Sequence, residues 1–106
     1  MNRIKEYFPL LELFGTNKVS KRIKIQLLEE KKIVMIICEI LFNLLMKNLE
    51  VDKKTEDLLR KNQGKLNRLL KKNSSFKRKK KILAGNLVLF EKIIFNSLHE
   101  LKGNFM

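Results

Sequence analysis

Tryptophan is absent from this 106-residue chain, and cysteine, histidine, proline and alanine occur once each, at Cys38, His99, Pro9 and Ala84. One cysteine closes no disulfide within the chain, and one cysteine with one histidine supplies no zinc-binding spacing. Cys38 lies inside IVMIICEILF, so it reads as a small buried hydrophobe in a reducing compartment. The chain also lacks the phosphate-cradling GxxxxGK[ST], the dinucleotide-binding GxGxxG and the metalloprotease HExxH. His99 follows an apolar helix face. The neighbours Glu29/Glu30 and Glu56/Asp57 point about 100° apart on a helix, so neither forms a convergent carboxylate pair. The expectation is a protein that is not an enzyme and uses no cofactor or metal.

Long apolar runs are missing as well. The longest, residues 33–46, has 14 residues and is broken by Glu39 and Asn43, whereas a bilayer span needs roughly 20. It reads as a core or interface helix. The opening MNRIKEYFPLLELFG carries Glu6, Pro9 and Glu12 within its apolar stretch, which argues against a secretory signal and an acid-poor transit peptide. Hydrophobic residues make up 44% of the chain, enough for a core, which argues against wholesale disorder, and one small domain is expected.

The scarcest residues are acids in the middle of the chain. Residues 53–84 carry thirteen Lys/Arg and two Asp/Glu, against nine and seven in 1–52 and two and two in 85–106. Of the formal net charge of +13, the central segment therefore holds +11. A uniformly basic protein would spread its lysines. This one concentrates them between two apolar, nearly neutral flanks, and the block reads as the working surface.

Periodicity predicts an all-α protein, a small bundle of about four helices. Residues 1–19 read as a short helical or irregular N-terminal arm, because Pro9 stops a regular helix away from its first turn. Residues 20–106 form the single domain. Ser20 caps a long helix over 20–47 with a narrow polar stripe of Lys32, Glu39, Asn43 and Lys47. Asp52 caps the next helix, over 53–72. There Lys54, Lys61, Lys65, Arg68 and Lys72 share about 60° of arc, with Leu59, Leu66 and Leu70 on the far side. Gly64 is a possible kink. Ser74 or Ser75 caps a short helix over 76–84, anchored by Phe76, Ile82 and Leu83 and closed by Gly85 at its C′ position. Asn86 caps a last amphipathic helix over 87–102, ended by Gly103.

The run Lys77, Arg78, Lys79, Lys80, Lys81 thus belongs to a helix and not to a free tail. Together with Lys54, Lys61, Lys65, Arg68 and Lys72 it forms a candidate phosphate-binding surface. Base reading in a groove favours Arg, Asn and Gln aligned on one helix, and this block is mostly lysine. Single-strand grooves use interleaved aromatics, and this block has only Phe76. The expected mode is sequence-independent contact with the phosphate backbone, duplex DNA favoured over RNA. KRKKK also fits a nuclear-import segment. The expected location is the nucleus or a virion for a eukaryotic or viral source, otherwise the cytoplasm.

The stretch over 43–83, NLLMKNLEVDKKTEDLLRKNQGKLNRLLKKNSSFKRKKKIL, covers about two fifths of the chain. It resembles a segment of small basic proteins encoded by Maverick/Polinton elements and adintovirus-like DNA viruses. Asn43, Leu44, Leu45, Asn48 and Leu49 match an NLLxGNI run. Leu59, Leu66 and Leu70 match a basic leucine-spaced helix. Ser75, Lys77, Lys79, Lys80, Lys81 and Leu83, with Gly85 after them, match a Ser turn followed by a KxKKxxL block. Lys47 replaces the Gly of the first run, Glu56 and Asp57 make the helix start more acidic, and the tail is charged and not Gly-rich. The resemblance implies a virion-core or genome-associated basic protein.

Two rival readings stand beside this one. In the first, the apolar helix over 33–46 docks a protein partner and the charge serves solubility, whereas the nucleic-acid reading itself expects a homo-oligomer through 20–47 and 87–102. In the second, the last helix and the basic block lie on a membrane surface, which is disfavoured.

Overall fold

The computed structural model describes residues 2–105, with side chains described for 4–102. The described residues are all-α, as the periodicity predicts, but they form seven helices and not four: α1 (Asn2–Gly15), α2 (Lys21–Leu27), α3 (Lys31–Leu45), α4 (Lys53–Lys61), α5 (Gln63–Leu69), α6 (Phe76–Gly85) and α7 (Leu87–Phe105). One continuous core draws on all of them, from Ile4 and Phe14 through Leu28, Ile37, Leu59 and Leu66 to Leu83, Phe90 and Leu101.

The N-terminal segment departs most from expectation. It is no separate arm, because α1 runs straight through Pro9 and buries Ile4, Phe8, Leu11 and Phe14. Pro9 removes one hydrogen bond, to the carbonyl four residues back. Pro9 and Lys5 both lie on the exposed side of α1, so the loss falls where water compensates. The inner face packs mainly along α7. A Cβ on Gly15 would sit 3.2 Å from the Phe95 backbone N and Cα, so a larger residue there would push α7 back by a few tenths of an ångström.

The long helix expected over 20–47 is broken. Ser20 caps α2 as predicted, its Oγ accepting from the Ile23 N–H at 3.3 Å. Three-residue hydrogen bonds then close a tight turn, Glu29 N–H to the Gln26 carbonyl and Glu30 N–H to the Leu27 carbonyl, both at 3.1 Å. This break buries Leu28 completely. It also frees α2 to aim the buried Lys24 ammonium at Glu91 of α7, 3.1 Å away. The stripe expected on α3 changes too. Lys32 and Lys47 are exposed, but Glu39 and Asn43 are half-buried, and the wet face carries Met35, Phe42 and Met46 at 44%, 51% and 59% exposure.

α3 ends in a Schellman turn. The Lys47 N–H reaches the Leu44 carbonyl at 3.2 Å and the Asn48 N–H reaches the Asn43 carbonyl at 2.9 Å. Lys47 holds φ 59, the left-handed conformation that glycine favours.

Asparagines make the later corners. Asp52 caps α4 through the Thr55 N–H at 2.9 Å, and hydrogen bonding from Thr55 holds its carboxyl below the usual aspartate value. The helix expected over 53–72 then breaks at Asn62, not at Gly64. Asn62 turns out of helical geometry, and its Nδ2 donates to the Leu58 carbonyl at 2.8 Å. Asn86 separates α6 from α7 the same way, donating to the Ile82 carbonyl at 2.9 Å. Gly85 is therefore the last residue of α6, not a left-handed C′ glycine, and α7 continues past Gly103 to Phe105.

Candidate nucleic-acid interface

The basic surface is built on α5, α6 and the turn between them. Leu66 and Leu69 of α5 and Leu83 of α6 are fully buried and clamp the two helices together. Burying each leucine stabilises the pair by about 1.5–3 kcal/mol, so this junction is a fixed feature of the surface. Ser75 starts α6 as the sequence predicts, its Oγ accepting from the Arg78 N–H at 3.1 Å with its own backbone extended at φ −70, ψ 159. That cap holds Lys77 and Arg78 in the first turn of α6.

The result is an open groove of about 650 Å³ lined by Arg68, Ser75, Lys77, Arg78, Lys81, Ile82 and Asn86. No carboxylate among the described residues lines it. Arg68, Lys77, Arg78 and Lys81 make no ion pair among the described residues and are exposed. The positive end of the α6 dipole lies where Lys77 and Arg78 already are, so the local potential adds instead of cancelling. Four like charges held over a packed floor repel one another, and an incoming polyanion relieves that repulsion.

The other predicted site residues divide into two groups. Lys79 and Lys80 are engaged within the protein. The Lys79 ammonium donates to the Leu69 carbonyl at 2.6 Å and to the Lys71 carbonyl at 3.2 Å. It thereby closes the C-terminal end of α5, where carbonyls lack helical partners. Lys80 pairs with Glu29 at 3.0 Å and stacks over the Phe76 ring, 5.5 Å from its centroid. Lys54, Lys61 and Lys72 are exposed and Lys65 is half-buried, but none of the four lines the groove. The single cationic arc expected over 53–72 is interrupted, because Asn62 ends α4 and Lys72 lies beyond α5 in a turn.

Sequence reasoning missed two contributors to this region, and the burial of one lysine outside it. Asn86 lines the groove although its type signals only a helix cap. Glu29 pairs with Lys80 from 51 residues away, a distance no local pattern reveals. Lys24 reads as one of many surface lysines, yet it is 1% exposed.

Two other features border this region. A shallow cleft of about 350 Å³ between α3 and the α5–α6 junction is lined by Met35, Cys38, Glu39, Phe42, Leu70 and Lys79. Burial there pushes the Cys38 thiol up to about 11, partly offset by Lys79, so the sulfur stays protonated and inert. Among the described residues no group of three or more His, Cys, Asp or Glu side chains is placed to hold a metal ion. No helix among them is long and apolar enough to cross a membrane.

No family model matches the chain, and neither a curated protein nor a solved structure does.

Proposed function

We propose that the protein binds nucleic acid through the phosphate backbone without reading sequence, and that the α5–α6 groove is the centre of the contact. The observation that carries this reading is the groove itself: four cations around the half-buried Ile82, with no carboxylate among the described residues that line it. Duplex DNA is the favoured ligand, since no aromatic side chain among the described residues lines the groove for an unpaired base to stack on. Lys54, Lys61, Lys65 and Lys72 extend the contact once the groove is engaged. If only Arg68, Lys77, Arg78 and Lys81 bind, the log–log salt slope is about −3.6 and affinity falls about a hundredfold between 50 and 200 mM salt.

A genome-associated role of the virion-core kind belongs to the same proposal. It draws support from Lys47. The resembled NLLxGNI run carries glycine at that position, and here the backbone holds the left-handed angle that glycine favours.

The test is a gel-shift titration on duplex DNA, single-stranded DNA and duplex RNA at several salt concentrations. Duplex DNA should bind tightest, with no dependence on its sequence. A single-strand preference overturns the mode, and a flat salt response overturns the reading.

One observation favours a second reading. Met35, Phe42 and Met46 repeat along the outer face of α3 at four- and seven-residue spacings, all more than two fifths exposed. Such a face is suited to a protein partner or a second copy. On that reading Phe42→Ser abolishes association seen in sedimentation, and the cations are dispensable for function.

A further inference from the structure

We propose that Ser75 is a phosphorylation site, and that its phosphate occupies the α5–α6 groove and excludes the polyanion that the groove otherwise holds. This rests on the nucleic-acid reading for its consequence, but not for its chemistry. Ser75 is exposed, in the non-helical stretch between α5 and α6, with an extended backbone. Lys71 and Lys72 precede it, and Lys77 and Arg78 follow it. A serine so flanked suits a protein kinase whose own peptide channel is acidic. The neighbouring Ser74 is unsuited, because its Oγ is fully enclosed and has no hydrogen-bond partner. The enclosure makes the expected modification selective between two adjacent serines.

The step takes a nucleoside triphosphate as co-substrate. The Ser75 Oγ attacks the γ-phosphorus and a new O–P bond forms. The bond from that phosphorus to the β–γ bridging oxygen breaks, the nucleoside diphosphate leaves, and the hydroxyl proton passes to the kinase's base. The product carries about −1.5 to −2 charge and three acceptor oxygens. Ser75 lines the same groove as Arg68, Lys77, Arg78 and Lys81, so the phosphate is delivered to the cations that have no internal partner. Its oxygens also replace the hydroxyl as acceptor for the Arg78 N–H, which now lies at 3.1 Å. The formal charge of the four groove cations is cut by about half. The helix cap is retained while the binding surface is switched off.

The experiment incubates the folded full chain with magnesium ATP and a protein kinase that reads basic flanks, then maps the phosphate by mass spectrometry. Modification is expected at Ser75 and not Ser74, and Ser75→Asn, which keeps a capping acceptor, should remain unmodified. Phosphorus NMR titration of the product should place its second pKa below the ordinary value of about 6, and Arg68→Gln should return it toward that value. The duplex salt slope should become shallower by about 2, with affinity about 10- to 100-fold lower at 100 mM salt. Phosphate on Ser74, or none, overturns the site. An ordinary pKa overturns the phosphate's seat in the groove. Unchanged duplex binding after stoichiometric modification overturns the switch alone. Failure of the unmodified protein to bind duplex overturns the nucleic-acid reading and the switch together, while the phosphorus titration still judges the seat.

Discussion

Lys79 is expected to behave as a structural residue although it sits in the middle of five consecutive cations. Its ammonium donates to the Leu69 carbonyl at 2.6 Å and the Lys71 carbonyl at 3.2 Å, and it is half-buried. Hydrogen bonds from a charged donor contribute about 1.5–3 kcal/mol. Partial exposure places Lys79 toward the lower end, so Lys79→Met should cost about 2 kcal/mol. Methionine keeps most of the side-chain stem, so the loss reports the hydrogen bonds and not a cavity. For a domain of this size the melting temperature should fall by about 9 °C. The urea midpoint should shift with an unchanged m-value. Lys81→Met, at an exposed groove position, should stay within about 0.5 kcal/mol of the parent and instead make the duplex salt slope shallower by about 1. Equal stability of Lys79→Met and the parent, together with a slope change matching that of Lys81→Met, would refute the assignment of Lys79 to the α5 terminus. Charge reversal across Lys79, Lys80 and Lys81 together would confuse the two effects, since only Lys81 is unpaired.

Glu91→Gln leaves the Lys24 ammonium buried without its counter-charge. The cost should be about 2–4 kcal/mol by urea titration, below the ~3–5 of a fully buried pair because Glu91 is 21% exposed; the double change Lys24→Met with Glu91→Leu should recover most of it. Lys47→Gly relieves a left-handed backbone at φ 59 and should raise stability by about 1 kcal/mol, read as a higher urea midpoint. At pH 8 the Cys38 thiol, held to about 11, should react with iodoacetamide on the order of 100-fold more slowly in the folded than in the unfolded protein. The folded thiol keeps its proton where the unfolded one has lost it. Stability should therefore fall as pH rises between about 9 and about 11, and Cys38→Val should remove that part of the slope.

The helix starts were legible because they are local. Ser20, Asp52 and Ser75 each precede an N–H three residues on, and each accepts from it. The leucines beneath the basic surface were legible from their spacing, and Leu59 and Leu66 are buried as expected. What escaped is tertiary. Nothing at residues 28–30 breaks a helix by itself; the break exists because Leu28 enters the core and Lys24 finds Glu91 on a distant helix. Pro9 is a strong local stop, yet burial of Ile4, Phe8, Leu11 and Phe14 outweighs the one hydrogen bond it removes. Within the basic run, residue type made five cations look equivalent. Their roles separated only because the end of α5 and Glu29 are close enough to capture two of them.

The central claim is that a few fixed cations, not diffuse positive charge, hold the polyanion. The most direct measurement compares duplex salt slopes for two triple variants whose folding is verified by urea titration: Arg68→Gln, Arg78→Gln and Lys81→Gln in the groove, and Lys54→Gln, Lys61→Gln and Lys72→Gln outside it. Each set removes three charges. The account predicts a slope shallower by about 3 for the groove set and a distinctly smaller change for the outer set. Equal changes from both sets would contradict it, because charge alone and not the α5–α6 groove would then govern binding.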